Sequence, residues 1–255
     1  MKKIILLSLL LSCLSIHAQT DKTLWRITYD AQCKLFEKDD TLSNDMQCLA
    51  IGEHSSRYYS LILEWYKENA EGRCPIKGHY MPFEVYKNMP KNAIMTFIHM
   101  PHWVTVEDSM DSLFQWTLQE GDTIILNYPC KKAATTFRGR TWTAWYTLEL
   151  PFNDGPWKLQ GLPGLILLAY DSERIFNFNC IGIEKGNGEL FEYPPYKGKK
   201  KVTPERAYEL LIMEHMDNDR YEYLMDGGIV ERFSTNGKPY KLTPKMPCLF
   251  EVFPK

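Results

Sequence analysis

The side chains best suited to chemistry are two clusters of soft ligands. Met213, His215 and Met216 lie close together, and His99, Met100 and His102 form an HMPH stretch. Thioether sulfur and imidazole nitrogen suit Cu(I). Backbone periodicity works against both clusters. In a helix Met213 and Met216 share a face while His215 points elsewhere. In a strand His99 and His102 face opposite ways. Methionine also fills cores. Copper binding at Met213, His215 and Met216 is therefore an alternative to the main reading, and no cofactor is expected. The sequence holds no GxSxG, HExxH, Walker or Rossmann fingerprint. Asp217-Asn218-Asp219 lacks the glycine and terminal glutamate of a calcium loop. Glu107-Asp108 reads as solvated surface. A hydrolase using two carboxylates needs no particular sequence spacing, so it stands as a second alternative without positive support.

The N-terminus sets the compartment in which such groups would work. Lys2 and Lys3 precede an apolar run from Ile4 to Leu14, and Ala18 ends a cleavage site. This is the pattern of a secretory signal over residues 1–18. The run is too short to cross roughly 30 Å of hydrocarbon, which takes about 20 residues. Leu10-Leu11-Ser12-Cys13 resembles a lipobox, but the apolar run before Cys13 is short and Leu14 to Ala18 still looks like leader. Cleavage after Ala18 is preferred to lipidation at Cys13, with Gln19 opening a single domain over residues 19–255. The expected location is the periplasm or an association with the outer membrane, and no later segment is apolar enough to span a bilayer.

Thirty basic and 32 acidic side chains give a net charge of −2. Without a basic excess, nucleic acid is not an expected partner. The basic run Lys197 to Lys201 reads as a solvated loop. Of seven cysteines, Cys33, Cys48, Cys74, Cys130, Cys180 and Cys248 follow the leader. An even number in an exported chain predicts at least one disulfide. Their wide spacing disfavours a structural zinc site.

The elements that must position these groups are mostly strands. Thr23 to Tyr29, Met46 to Gly52, Ala93 to Met100, Trp103 to Val106 and Thr141 to Leu150 read as extended. Phe114, Trp116 and Leu118 alternate with polar residues, the period of a half-buried strand, and Gly121-Asp122 predicts a turn into Thr123 to Tyr128. Arg174 to Ile183 places Phe176, Phe178 and Cys180 on one face. Gly186-Asn187-Gly188 and Asn236-Gly237 predict hairpins, and Cys248 to Phe253 predicts a closing strand. Helices are predicted at Ser56 to Ala70 and after Thr203-Pro204-Glu205, an N-cap, an N1 proline and an acidic first turn. Short turns between strands predict a mainly β fold: an antiparallel curved sheet, a sandwich or partly open barrel, with one or two helices.

One segment is unusual. Gly155-Pro156-Trp157 and Gly161-Leu162-Pro163-Gly164-Leu165-Ile166 punctuate a stiff loop that feeds an apolar run. A type II turn at Pro163-Gly164 requires φ > 0 at Gly164, and Gly161 allows close approach of a backbone or ring. The leading reading is a structural turn. The sharper alternative is a recognition loop presenting Trp157 and Tyr170. With Ala144-Trp145-Tyr146 and Lys158, this segment resembles the GLPGLI family of exported bacterial proteins. The resemblance implies a Gram-negative envelope setting and, as a contextual hint, an outer-membrane receptor of the TonB-dependent type as partner. It implies no activity. The expected function is a non-enzymatic envelope protein that binds a ligand or partner.

Overall fold

The structure is a computed structural model, and it describes residues 19–69, 81, 83–98, 103–111, 113–193, 200–227, 238–239, 241 and 243–253. The chain opens with β1 (Gln19–Lys22), β2 (Trp25–Cys33), β3 (Ser43–Ile51) and β4 (Ser55–Ser60), then α1 (Leu61–Asn69). Next come β5 (Phe83–Asn88), β6 (Ala93–Ile98), β7 (Val104–Ser109), β8 (Thr117–Ile125), β9 (Tyr128–Phe137) and β10 (Arg140–Thr147). After the motif loop follow β11 (Leu165–Asp171), β12 (Phe176–Lys185), β13 (Leu190–Tyr193) and β14 (Lys200–Val202), and then α2 (Pro204–Met216) and α3 (Asn218–Asp226). Twelve strands form one sheet in the order β14-β7-β6-β5-β4-β3-β2-β12-β11-β10-β9-β8, and β1 pairs with β13 apart from it. Every pairing is antiparallel except β14 with β7. The mainly β, antiparallel, curved architecture is as the sequence predicts.

Alternation gives β2 and β12 one inward face, whereas β5 is buried on both of its faces. Ile27, Tyr29, Ala31 and Cys33 of β2 face inward and are buried, as are Phe176, Phe178 and Cys180 of β12. These faces join residues of β3, β4, β5, β9, β10 and β11 in one core. A flat sheet of this width could not bring such distant strands into one cluster, so it curls over upon itself. The curl is closed by side chains rather than by a ladder. Two segments enter the interior: the loop between β10 and β11, and the C-terminal residues 247–253. Phe250 stacks on Phe176 with ring centroids 3.8 Å apart and lies 5.0 Å from the Trp157 ring. Outside the sheet, α2 and α3 cover β7 through Leu210, Tyr221 and Val104. The Thr203 hydroxyl caps α2 by accepting the Arg206 N–H, as the sequence predicts.

Local expectations fail where tertiary contacts outweigh them. The helix predicted at Ser56 to Ala70 is split. The Ser60 hydroxyl accepts the Leu63 N–H and so starts the helix only at Leu61, leaving Tyr58 inward and Tyr59 outward on a strand. Phe114 and Trp116 precede β8 instead of forming it, because they pack inward: Phe114 on Phe137, and the Trp116 indole N–H on the Gln160 carbonyl. Gly121-Asp122 is a bulge inside β8, not a turn. The turn lies at Leu126-Asn127, where both residues have positive φ, as a two-residue hairpin loop demands. Gly186 to Gly188 do not join β12 to β13 as a hairpin. Gly186 donates to the Leu24 carbonyl and Gly188 to that of Thr23, so β13 runs to β1. Cys248 to Phe253 is no regular strand; only Pro247 bridges, to Phe36. The basic run ends in an edge strand, with Lys200 and Lys201 exposed on β14. The Asn236-Gly237 hairpin lies outside the described residues.

Candidate functional site

The motif loop is an interior plug. Trp157 is 2% exposed, and Leu159, Leu162, Leu165 and Ile166 are equally buried. The Trp157 ring lies 5.5 Å from that of Trp142 and 6.0 Å from that of Phe137. Trp157 is thus packed into the core and is not displayed at the surface. The glycines exchange their expected roles. Gly161 takes positive φ (99°), whereas Gly164 does not. A β-carbon on Gly164 would sit 2.0 Å from the Thr147 carbonyl oxygen, so the loop crosses β10 there at backbone contact. Gly155 is similarly pressed on Ile166. Pro156 is buried and Pro163 exposed.

A fully buried lysine fixes this plug. Lys87 on β5 donates from Nζ to Asp154 Oδ1 (2.5 Å) and to the carbonyls of Gly155 (2.7 Å) and Leu159 (3.1 Å). Burial pushes its amine down, and Asp154 opposes that shift. Tyr29 adds a hydrogen bond to the Ile166 carbonyl. A second network lies at the seam of the curl. Lys158 Nζ reaches Asp108 Oδ2 (2.8 Å) and Glu251 Oε1 (2.5 Å), and Arg138 pairs with the same two carboxylates. Burial raises the Asp108 carboxyl, but Lys158 and Arg138 outweigh it and hold the group below its ordinary value. Asp108 is therefore not the solvated residue that the sequence suggests; it joins β7, the β9–β10 turn, the motif loop and the C-terminal segment. The sequence does not single out Lys87 or Asp154, and it presents Asp108 as surface, because buried charges in the middle of strands and loops have no sequence signature.

The soft-ligand cluster is dispersed. The Met213 side chain packs in the apolar cluster beneath α2, and Met216 is exposed. His215 has its Nδ1 2.9 Å from the Leu211 carbonyl and its ring against Phe36. Among the described residues, no three His, Cys, Asp or Glu side chains are grouped to hold a metal. His99, Met100 and His102 lie outside the described residues. The expected disulfide is not formed among the described cysteines: Cys33, Cys48, Cys130, Cys180 and Cys248 are free thiols. Cys33, Cys48, Cys130 and Cys180 point into packed interior, where each acts as a small hydrophobe. Burial pushes the Cys33 and Cys180 thiols up to about 12, which leaves them protonated and inert at neutral pH. Cys74 lies outside the described residues.

The outer surface of the sheet ends in an exposed strand. β8 is the last strand of the sheet and is exposed along most of its length on both faces. Leu118 is 66% exposed, Ile124 73%, Leu126 41%, and the neighbouring Leu148 52%. Strand edges are blunted by charge, proline, cover or a bulge; β8 carries two charges, Glu120 and Asp122, at its bulge, and the exposed Leu118 and Ile124 lie on either side of it.

A family model matches residues 138–168. Its description is a protein of unknown function (Porph_ging). The stretch holds β10, the plug and the first residues of β11. No curated protein matches the chain. Two solved structures, of PNGF-II in space groups P21 and C2, are similar in fold, each with a TM-score of 0.50, at 16% and 19% identity. The alignments cover 73% and 75% of this chain and 32% of the PNGF-II chain. The chain thus spans about a third of the PNGF-II length, and the likeness is one of fold. Among the described residues, no helix is long and apolar enough to cross a membrane.

Proposed function

We infer that the chain is an exported, non-enzymatic binding protein of the bacterial cell envelope, and that a protein partner docks on the β8 edge. The observation that carries this reading is the combination of a filled interior with an exposed, apolar terminal strand. Edge strands recruit extended segments through backbone hydrogen bonds, while side chains on alternate positions supply specificity. Leu118, Ile124 and Leu126 furnish those contacts at the end of the sheet. The leader-like N-terminus and the GLPGLI-like motif support the envelope setting. An outer-membrane receptor of the TonB-dependent type is the partner class that the resemblance implies.

A photo-activated cross-linker placed at Thr123 in cells tests it. The expected result is a discrete protein adduct that disappears with Ile124→Asp, while Ile124→Asp melts like wild type. A cross-linker at Glu209, on the exposed face of α2, should give no such adduct. Absence of an adduct at Thr123, or one unaffected by Ile124→Asp, removes the β8 edge as the docking site.

A further inference from the structure

The outer face of β2, β12, β11 and β10 carries aromatic and amide side chains beside Leu168 and Asp30. Directly paired residues share a face of the sheet, so the register lays them out in rows. Trp145 pairs with Leu168, Leu168 with Asn179, and Asn179 with Asp30. One row along, Tyr170 pairs with Asn177, and Asn177 with Gln32. The first row crosses three strand spacings, about 14 Å, the second two, about 10 Å, and the rows lie about 7 Å apart. Asn179 is exposed; Asp30, Gln32, Asn177, Tyr170 and Trp145 are half-buried.

Trp145 does not stand upright on this face. A β-carbon on Gly121 would lie 3.2 Å from its Cη2 atom. Gly121 is on β8, two strands away from β10, about 10 Å across the sheet. The indole must therefore lean over β9 and turn a ring face outward. Lys132, its partner on β9, holds Nζ 5.7 Å from the ring centroid. The bulged Gly121, with φ of 128° and no side chain, leaves room for the ring tip. Beside it, the Arg174 guanidinium stacks on Tyr170 with its carbon 3.3 Å from the ring centroid. The amides are already oriented: Gln32 donates to Asp30, and Asn177 donates to the Arg174 carbonyl.

We propose that this face is a binding site for a neutral oligosaccharide. A flat aromatic face accepts the C–H face of a sugar ring, and side-chain amides offer a donor and an acceptor together to neighbouring hydroxyls. The charges on or beside the rows are of both signs and include Asp30, Glu173, Lys132 and Arg174. Such a balance gives no drive toward a phosphate backbone, which needs clustered cations. A protein partner would call for a dry apolar centre, and here Leu168, the one aliphatic side chain of the two rows, is flanked by Trp145 and the amide of Asn179. The proposal is independent of the β8 docking reading.

The test is affinity electrophoresis of the full chain in native gels cast with soluble neutral polysaccharides: mannan, galactomannan, xylan and laminarin. Isothermal titration with the matching oligosaccharides gives the affinity. At least one polysaccharide should retard the wild type. Trp145→Ala and Asn177→Ala should each weaken binding at least tenfold with little change in melting temperature. Ile124→Asp should bind sugar like wild type, which separates this site from the β8 edge. If Trp145→Ala is unstable, Asn177→Ala and Asn179→Ala decide the matter. Failure of every polysaccharide to retard the wild type overturns the proposal, as does binding that persists unchanged in these variants.

Discussion

Gly164 and Trp157 show how much a residue's meaning depends on what it touches. Proline followed by glycine suggests a type II turn, with the glycine needed for its φ. In the folded chain Gly164 is needed because the Thr147 carbonyl occupies the space a β-carbon would take. A methyl there forces backbone apart in a packed region, a cost of about 3 kcal/mol. Gly164→Ala should therefore lower the melting temperature strongly, whereas Gly161→Ala is strained only by its φ of 99° and should lose on the order of 1 kcal/mol. Trp157→Ala removes a ring packed among Trp142, Phe137 and Phe250 and should lose about 3–5 kcal/mol. Chemical denaturation of the three variants checks the order. A Gly161→Ala loss equal to that of Gly164→Ala would contradict the assignment of close approach to Gly164 alone.

At the scale of elements, the β8–β9 hairpin is held by an unusual turn. Leu126 and Asn127 have φ of 48° and 68°, a conformation suited to Asn-Gly. Leucine there costs roughly 1 kcal/mol. Other bulky residues with positive φ are compensated: Arg138 by Asp108 and Glu251, Trp157 by the core. Leu126 is 41% exposed and draws less compensation from its surroundings. Leu126→Asn should raise stability by about 1 kcal/mol, and, if the tip contacts the partner, should also weaken the Thr123 adduct. A melting temperature that falls instead would show that the leucine packs usefully in the free protein. Sequence patterning found β2, β10, β12 and α2 well, because alternation or capping is written locally. It misread Phe114 to Tyr128, since Gly-Asp marks a bulge as readily as a turn until the partner strand is known.

For the molecule as a whole, the seam decides how the curled sheet stays shut. Asp108, Lys158, Arg138 and Glu251 come from four separate parts of the chain. The folded pKa of Asp108 is depressed below 3.8. Its stabilisation is therefore complete above the unfolded value and is lost as pH falls through the folded one. Asp21 is depressed as well: burial raises it, but the His54 N–H and other donors outweigh that. Asp45 has the opposite sign, because burial raises its carboxyl despite three hydrogen bonds. Comparing wild type with Asp108→Asn cancels both. The variant should be less stable by about 3 kcal/mol at pH 7, as expected for a broken buried pair. The gap between the two should narrow below pH 4. Parallel stability curves from pH 7 to 2.5 would mean that the seam carboxylate does not drive acid unfolding.

The sequence by itself determined the β class, the inward face of β12, the cap of α2 and the presence of a glycine-punctuated loop before an apolar strand. Each of these follows from periodicity or from the conformational limits of single residues, which act over a few neighbours. Only the tertiary structure decided that the loop turns inward as a plug, that Lys87 holds it, that Asp108 is buried, and that the described cysteines stay apart as thiols. Only register across the sheet brings Trp145, Tyr170, Asn177 and Asn179 onto one face beside Asp30 and Gln32. Those outcomes depend on which strands become neighbours when the sheet curls, and burial and ion pairing between distant segments leave no periodic trace in the chain.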